Sequence, residues 1–163
     1  MEAFEKAFVT RSSVETISLG RALGKLLRAG DVLVLTGDLG AGKTQLTKGI
    51  ADGMGVEDDV TSPTFTIEMV YEGEELPLYH FDLYRLDDAA QLDDTGLFDV
   101  LGGDGPCVIE WGERFAHEIG DDRLDVFLMR LDASVASGEE PPREVRFVAH
   151  GARAKEVVSN LNA

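Results

Sequence analysis

Eight consecutive residues near the start of the chain have the types and spacing of a phosphate-binding loop. Residues 37–44 fit the pattern of a glycine, any four residues, then Gly-Lys and Thr or Ser. The loop consists of Gly37, Asp38, Leu39, Gly40, Ala41, Gly42, Lys43 and Thr44. In such a loop, backbone N–H groups surround an anion, the lysine reaches the β- and γ-phosphates, and the hydroxyl ligates Mg²⁺. The pattern therefore predicts a nucleotide site, with Lys43 on the phosphates and Thr44 on the metal.

The segments on either side of this loop have the patterns that the motif requires. Residues 32–36 are a short apolar and β-branched run, typical of a buried strand. Residues 44–54 carry Leu46, Ile50 and Met54 at helical spacing. A strand, a Gly-rich loop and a helix are the context of a true phosphate-binding loop. The alternative, a glycine-rich turn with a solvated lysine, is therefore disfavoured.

An acidic residue stands at the end of another apolar run, within residues 107–111. Glu110 ends the run Cys-Val-Ile-Glu, and a carboxylate at the end of a buried strand holds Mg²⁺ in phosphate-loop proteins. The phosphate loop makes this interpretation of Glu110 preferable to an ordinary strand-end glutamate. Trp111 is expected either in the core or near the bound nucleotide. Cys107, the one cysteine, is predicted to be a small buried core residue.

For two further segments, the sequence allows both a functional role and a purely structural one. Residues 65–71 and 76–84 are predicted to form a hairpin, whose alternation puts His80, Asp82 and Tyr84 on one face. A carboxylate beside a histidine can order a water or a metal, but spacing alone favours a solvated strand face. Residues 61–66 surround Pro63 with hydroxyls. They predict either a loop that senses the γ-phosphate or, favoured by spacing alone, a polar turn.

The rest of the chain predicts one α/β domain over residues 1–163, since no repeat or long linker divides it. An edge strand is expected at 4–10. The helix after it is expected to be capped near Ser12, to have Val14 on its apolar face and to end with Gly30 as its C-cap. Strands are predicted at 124–131 and 143–150, with an exposed loop at 136–142 between them. A last helix is predicted at 152–161.

Composition and charge exclude several classes of protein. The chain has 31 acidic against 15 basic side chains, a formal net charge of -16. This balance opposes a broad nucleic-acid footprint, which needs a basic face. No apolar run approaches a membrane span, and the amino-terminal residues lack the features of a signal peptide, so a cytoplasmic location is expected.

Three nucleotide-dependent functions remain open from the residues themselves. No guanine-reading Asn-Lys-x-Asp segment is present, which disfavours a regulatory GTPase. Basic residues after the phosphate loop are sparse, which disfavours a small-molecule kinase with a basic lid. The leading hypothesis is an ATPase that couples energy to a protein partner. The alternatives are such a kinase and a nucleotide-binding regulator without useful turnover.

Four motifs in order identify a resemblance. They are residues 37–44, Ser-Pro-Thr-Phe at 62–65, His-Phe-Asp-Leu-Tyr-Arg-Leu at 80–86 and Ile-Glu-Trp at 109–111. Together they resemble the TsaE family of small bacterial ATPases of tRNA threonylcarbamoyladenosine biosynthesis. The resemblance spans about residues 12–114. Gly112 stands where proline is often expected in this family.

The resemblance implies a fold and an activity. The fold would be a P-loop NTPase-like three-layer α/β sandwich around a mixed central sheet. The protein would bind ATP and Mg²⁺, hydrolyse ATP and associate with the TsaB–TsaD pair, whose TsaD subunit modifies an adenosine beside the tRNA anticodon. It would contact tRNA only through that complex.

The resemblance also implies roles for individual residues. Lys43 would contact phosphates, and Thr44 and Glu110 would hold Mg²⁺. Asp82 would be the carboxylate needed for hydrolysis, acting on the metal or on the attacking water. Residues 62–65, with Thr64 at the nucleotide, would form the nucleotide-responsive loop, and Trp111 would be the aromatic beside the site. Residues 12–16 would border the adenine.

Overall fold

The computed structural model describes residues 4–38, 40–61, 67–131 and 141–162. The strands are β1 (Phe4–Thr10), β2 (Val32–Thr36), β3 (Glu68–Glu72), β4 (Pro77–Asp82), β5 (Cys107–Glu110), β6 (Arg123–Arg130) and β7 (Arg143–His150). The α-helices are α1 (Ser13–Gly24), α2 (Lys43–Gly53), α3 (Leu97–Val100), α4 (Ala116–Ile119) and α5 (Ala152–Asn160). Short 3-10 helices cover Ala89–Asp94 and Glu113–Phe115. None of the described helices is long and apolar enough to cross a bilayer.

The seven strands form one mixed sheet in the order β1-β7-β6-β2-β5-β4-β3. Strand β2 is parallel to both of its neighbours, β5 and β6, and β4 is parallel to β5. The predicted hairpin is present as the antiparallel pair β3–β4. Because β2, β5 and β4 are parallel and adjacent, their carboxyl ends meet at one edge, which is where ligands bind in open α/β sheets.

Helices cover both faces of the central part of this sheet, which confirms the three-layer α/β architecture. On one face α1, α2 and α5 pack on side chains such as Leu33 and Leu35 of β2. On the other face, the short helical segments between residues 89 and 119 pack on Val34, Phe81 and Ile109. Strand β2 is therefore buried on both sides, as its continuous apolar run predicted.

Helices α1 and α2 approach each other without a layer of side chains between them. A Cβ built on Gly49 would lie 2.1 Å from the carbonyl oxygen of Ile17. A Cβ built on Gly20 would lie 2.3 Å from the carbonyl oxygen of Leu46. Glycine at these positions therefore allows main-chain contact between the helix of the phosphate loop and the helix before it.

Two predictions for the first helix are wrong. Gly30 is not its C-cap, because α1 ends at Gly24 with Lys25 as the cap, and Gly30 lies in the turn before β2. Val14 is not on the buried face, since it is 75% exposed. The reason is that the helix turns its glycines, Gly20 and Gly24, toward α2, and this rotation leaves Val14 in solvent. Ser12 caps the helix as predicted, accepting the N–H of Glu15.

Candidate functional site

The phosphate loop follows β2 directly and ends where α2 begins, as the sequence predicted. Gly42 is the N-cap of α2 and has φ of 106°, in the left-handed region that favours glycine. Lys43 is the first residue of the helix and is only 6% exposed. The start of α2 therefore points the positive end of its dipole and its first N–H groups at the space in front of the loop.

The Lys43 ammonium is buried between an aromatic ring and carboxylates. Its Nζ lies 3.7 Å from the centroid of the Trp111 ring and hydrogen bonds to none of the described residues. Burial lowers the pKa of Lys43, and the charges of Glu110 and other nearby carboxylates oppose that shift. A cation held by a ring, with no hydrogen-bond acceptor among the described residues, fits a group that donates to phosphate.

The two predicted carboxylates lie side by side at the ends of neighbouring strands. Asp82 ends β4 and Glu110 ends β5, and the two residues are register partners in the parallel pair. Each is only 3% exposed. The Asp82 Oδ1 accepts the N–H of Tyr84 at 2.9 Å, which orients that carboxylate. The alternative of a solvated strand face is wrong for His80 and Asp82, which are 0% and 3% exposed, whereas Tyr84, beyond the end of β4, is 58% exposed.

Trp111 reaches the site through an unusual backbone conformation. Its φ is 60°, a left-handed value that costs a non-glycine residue about 1–3 kcal/mol. The turn follows Glu110 immediately, and the ring lies over the Lys43 ammonium rather than in the core. The exposed ring of Tyr84 lies 5.0 Å away, centroid to centroid, at 56°. Of the two positions the sequence left open for Trp111, the structure has the one beside the phosphate loop.

A cavity of about 670 Å³ opens in front of the loop. It is lined by Gly40, Gly42, Lys43, Thr44, Gln45, Asp82, Tyr84, Glu110, Trp111 and Arg143. This volume lies within the range of small-molecule and cofactor sites. The structure therefore brings Lys43, Thr44, Asp82, Glu110 and Trp111 together around one space.

Arg143 also lines this cavity, although no sequence pattern pointed to it. It begins β7, and its Nη2 donates to the Gly40 carbonyl at 3.3 Å. The aliphatic part packs on the loop, since a Cβ built on Gly42 would lie 3.1 Å from the Arg143 Cδ. No local pattern marks this residue, because only the antiparallel return of β7 along β6 carries it to the loop.

The donor set fits Mg²⁺. Thr44, Asp82 and Glu110 supply oxygen atoms, the ligands that this hard cation prefers. The described residues contain no group of three or more His, Cys, Asp or Glu side chains arranged to hold a metal by themselves. Mg²⁺ usually takes only one or two carboxylates together with substrate phosphates, so two carboxylates and a hydroxyl beside a phosphate loop are sufficient.

Some predicted contacts lie outside the described residues or stay predictions. Leu39, Thr64 and the rest of residues 62–65 are outside the described part of the chain. Thr16 is buried, and its hydroxyl pairs with that of Thr10 at 2.7 Å. Contact between residues 12–16 and adenine remains a prediction.

Comparison with known proteins agrees with this geometry. The chain superposes on the crystal structure of Bacillus subtilis YdiB with a TM-score of 0.81 and 33% identity, covering 99% of this chain and 96% of that one. A family model described as "Threonylcarbamoyl adenosine biosynthesis protein TsaE" matches residues 10–137. The chain belongs to the TsaE family. The predicted family and the P-loop-type fold are therefore confirmed.

Several TsaE proteins are similar to the chain over most of their length. The protein of Treponema pallidum is 46% identical over 76% of this chain and 90% of its own. The protein of Streptomyces coelicolor is 45% identical over 83% and 90%. The protein of Bacillus subtilis is 38% identical over 91% and 88%. Each is named as a tRNA threonylcarbamoyladenosine biosynthesis protein, so the similarity extends well beyond the phosphate loop.

Proposed function

We propose that this TsaE-family protein is a cytoplasmic Mg²⁺-dependent ATPase that supports threonylcarbamoylation of a tRNA adenosine by a TsaB–TsaD pair. The observation that carries the proposal is the convergence of the buried Lys43 ammonium with the buried Asp82 and Glu110 carboxylates at the phosphate loop. A cation for the phosphates and carboxylates for a metal and a water are the groups that phosphoryl transfer requires.

Each residue has a distinct part in this proposal. The loop N–H groups and the amino end of α2 bind the phosphates, and Lys43 moves from the Trp111 ring to donate to them. Thr44 and Glu110 would hold Mg²⁺, which would supply positive charge to neutralise the phosphates. Asp82, oriented by the Tyr84 N–H, positions the attacking water. Trp111 and Tyr84 form an aromatic wall of the cavity.

The charge of the protein supports a protein partner rather than direct tRNA binding. With a net charge of -16, the chain as a whole repels the phosphate backbone of RNA. We therefore propose that tRNA is reached only through the complex with the TsaB–TsaD pair.

Phosphate release tests this function. ATP and Mg²⁺ are given to the protein alone, and then with a TsaB–TsaD pair and tRNA. We expect slow release that rises when the pair is added, and none above background with Glu110→Ala. Transfer of phosphate to a small acceptor would favour a kinase instead. Tight ATP binding without release under both conditions would indicate a regulator.

Asp82→Asn tests the role of the second carboxylate. Asparagine keeps an oxygen for the Tyr84 N–H but loses the charge that orients or activates a water. We expect hydrolysis to fall about 100-fold, while ATP affinity changes less than about threefold. Single-turnover hydrolysis and calorimetric ATP binding measure the two effects. Wild-type turnover would remove Asp82 from the chemistry.

Arg143→Ala tests the residue that the sequence did not reveal. Strand β7 lies on one side of β2, and the strands that carry Glu110 and Asp82 lie on the other. Arg143 is therefore expected to contact a part of the nucleotide that ATP and ADP have in common. Losing one charge-assisted hydrogen bond should weaken both ligands about tenfold. Arg146→Ala is the matched control, because Arg146 is exposed and paired with Glu144 at 2.8 Å. Weaker binding of ATP alone would contradict this assignment.

A further inference from the structure

One buried side chain near the site has no role in the proposed function. His80 of β4 is 0% exposed, and its Nε2 lies 2.5 Å from the Oε2 of Glu110. Its other ring nitrogen, Nδ1, is also buried and hydrogen bonds to none of the described residues. His80 does not line the cavity, so it can reach a bound nucleotide only through Glu110.

The chemistry of the pair indicates which atom carries the hydrogen. An ionised carboxylate can only accept hydrogen bonds, so the Nε2 of His80 must donate to the Oε2 of Glu110. That bond occupies one of the two carboxylate oxygens and leaves Oε1 as the oxygen for a metal. Carboxylates that bind metals are themselves commonly hydrogen-bonded, and such partners orient them.

Glu110 also needs a second partner to fix its position, because the nearby Lys43 ammonium attracts its carboxylate. Among the charges that act on Lys43, Glu110 contributes the largest electrostatic effect. Without a second partner, the flexible glutamate side chain would be drawn toward that ammonium, away from a metal. The short bond to His80 on the neighbouring strand opposes this movement.

We propose that His80 is a positioning residue, whose Nε2–H holds the Oε2 of Glu110 so that Oε1 is presented to the metal. This inference rests on the proposed function, in which Glu110 binds Mg²⁺. His80 does not transfer protons to the substrate. Its contribution requires a hydrogen-bond donor at the Nε2 position, and an amide N–H placed there should replace it.

The test compares two amide side chains of different length. In His80→Gln the amide nitrogen reaches the position of Nε2, whereas in His80→Asn it stops near the position of Nδ1. Mn²⁺ binding in the presence of ADP is followed by electron paramagnetic resonance. We expect His80→Asn to weaken Mn²⁺ binding about tenfold or more, and His80→Gln to stay within about threefold of wild type. Metal-free ADP affinity should be unchanged in both variants.

The matched control is a second histidine–carboxylate pair at the other end of the sheet. His150 Nε2 lies 2.8 Å from the Oδ2 of Asp125, and His150→Asn should leave Mn²⁺ binding unchanged. Equal Mn²⁺ affinity in His80→Asn and wild type would overturn the inference, as would an equal loss in His80→Gln and His80→Asn.

Mn²⁺ binding by Glu110→Gln separates this inference from the proposed function. If Glu110→Gln binds Mn²⁺ as wild type does, the metal role of Glu110 is wrong. If Glu110→Gln loses Mn²⁺ and His80→Asn does not, only the role of His80 is wrong.

Nitrogen-15 NMR of the wild-type protein tests the pair without a substitution. The ring should carry its hydrogen on Nε2, and a ring with hydrogen on Nδ1 alone would contradict the proposal.

Discussion

Lys43→Ala is expected to lose about 3 kcal/mol of ATP-binding free energy, which is roughly a 100-fold weaker affinity. The ammonium is already buried away from water, against the Trp111 ring, in a residue that lines the cavity. Its hydrogen bonds to phosphate therefore require little further desolvation, and alanine replaces none of them. Calorimetric titration with ATP and Mg²⁺ measures the loss directly.

The fluorescence of the single tryptophan gives a second measurement of ATP binding. Trp111 is the one tryptophan of the chain, and the Lys43 ammonium lies on its ring. When ATP draws the ammonium toward phosphate, the intrinsic fluorescence should change, and Lys43→Ala should remove most of that change. Lys48→Ala is the control, since Lys48 is an exposed lysine on the same helix. Wild-type ATP affinity in Lys43→Ala would end the phosphate-loop assignment.

Gly49→Ala is expected to destabilise the protein by about 3 kcal/mol or more, since its Cβ would overlap a main-chain oxygen. That Cβ would lie 2.1 Å from the Ile17 carbonyl oxygen, and backbone cannot rotate away as a side chain does. Alanine favours helix over glycine by only about 1 kcal/mol, so the clash decides the sign. For a chain of this length, the midpoint of thermal unfolding should fall by roughly 6–12 °C.

Calorimetry of thermal unfolding measures the destabilisation expected for Gly49→Ala. Lys48→Ala is the control on the same helix. Gly53→Ala is a second example of the effect, because its Cβ would lie 2.3 Å from the Arg21 carbonyl oxygen. An unchanged unfolding midpoint in Gly49→Ala would show that the two helices can separate at little cost.

Local sequence was enough to single out Lys43 and Glu110, which the structure brings together in the candidate site. Lys43 begins the helix that follows β2 and the phosphate loop, and Glu110 ends β5. Both strands are short continuous apolar runs, so the two positions follow from patterns within about ten residues. Trp111 was predicted less sharply, because its direction depends on a left-handed turn that no residue type near it specifies.

Contacts between distant segments were beyond local patterns. The bond of His80 to Glu110 depends on the register of β4 against β5, and the place of Arg143 depends on the return of β7 along β6. Val14 was misplaced because apolarity predicted its burial, whereas helix packing through glycine turned it outward. Packing between segments that are distant in the chain decided each of these cases.

The close crossing of α1 and α2 makes these helices one mechanical unit. With main chain touching main chain, no compressible side-chain layer exists to absorb a displacement of either helix. A push on the phosphate end of α2 must therefore move α1 with it, including the predicted adenine side near Ser12. The two ends of a nucleotide would then rest on a single stiff frame. Under the proposed function, we would expect ATP and ADP to differ in their contacts on the opposite side of the cavity, at Asp82, Glu110 and Trp111.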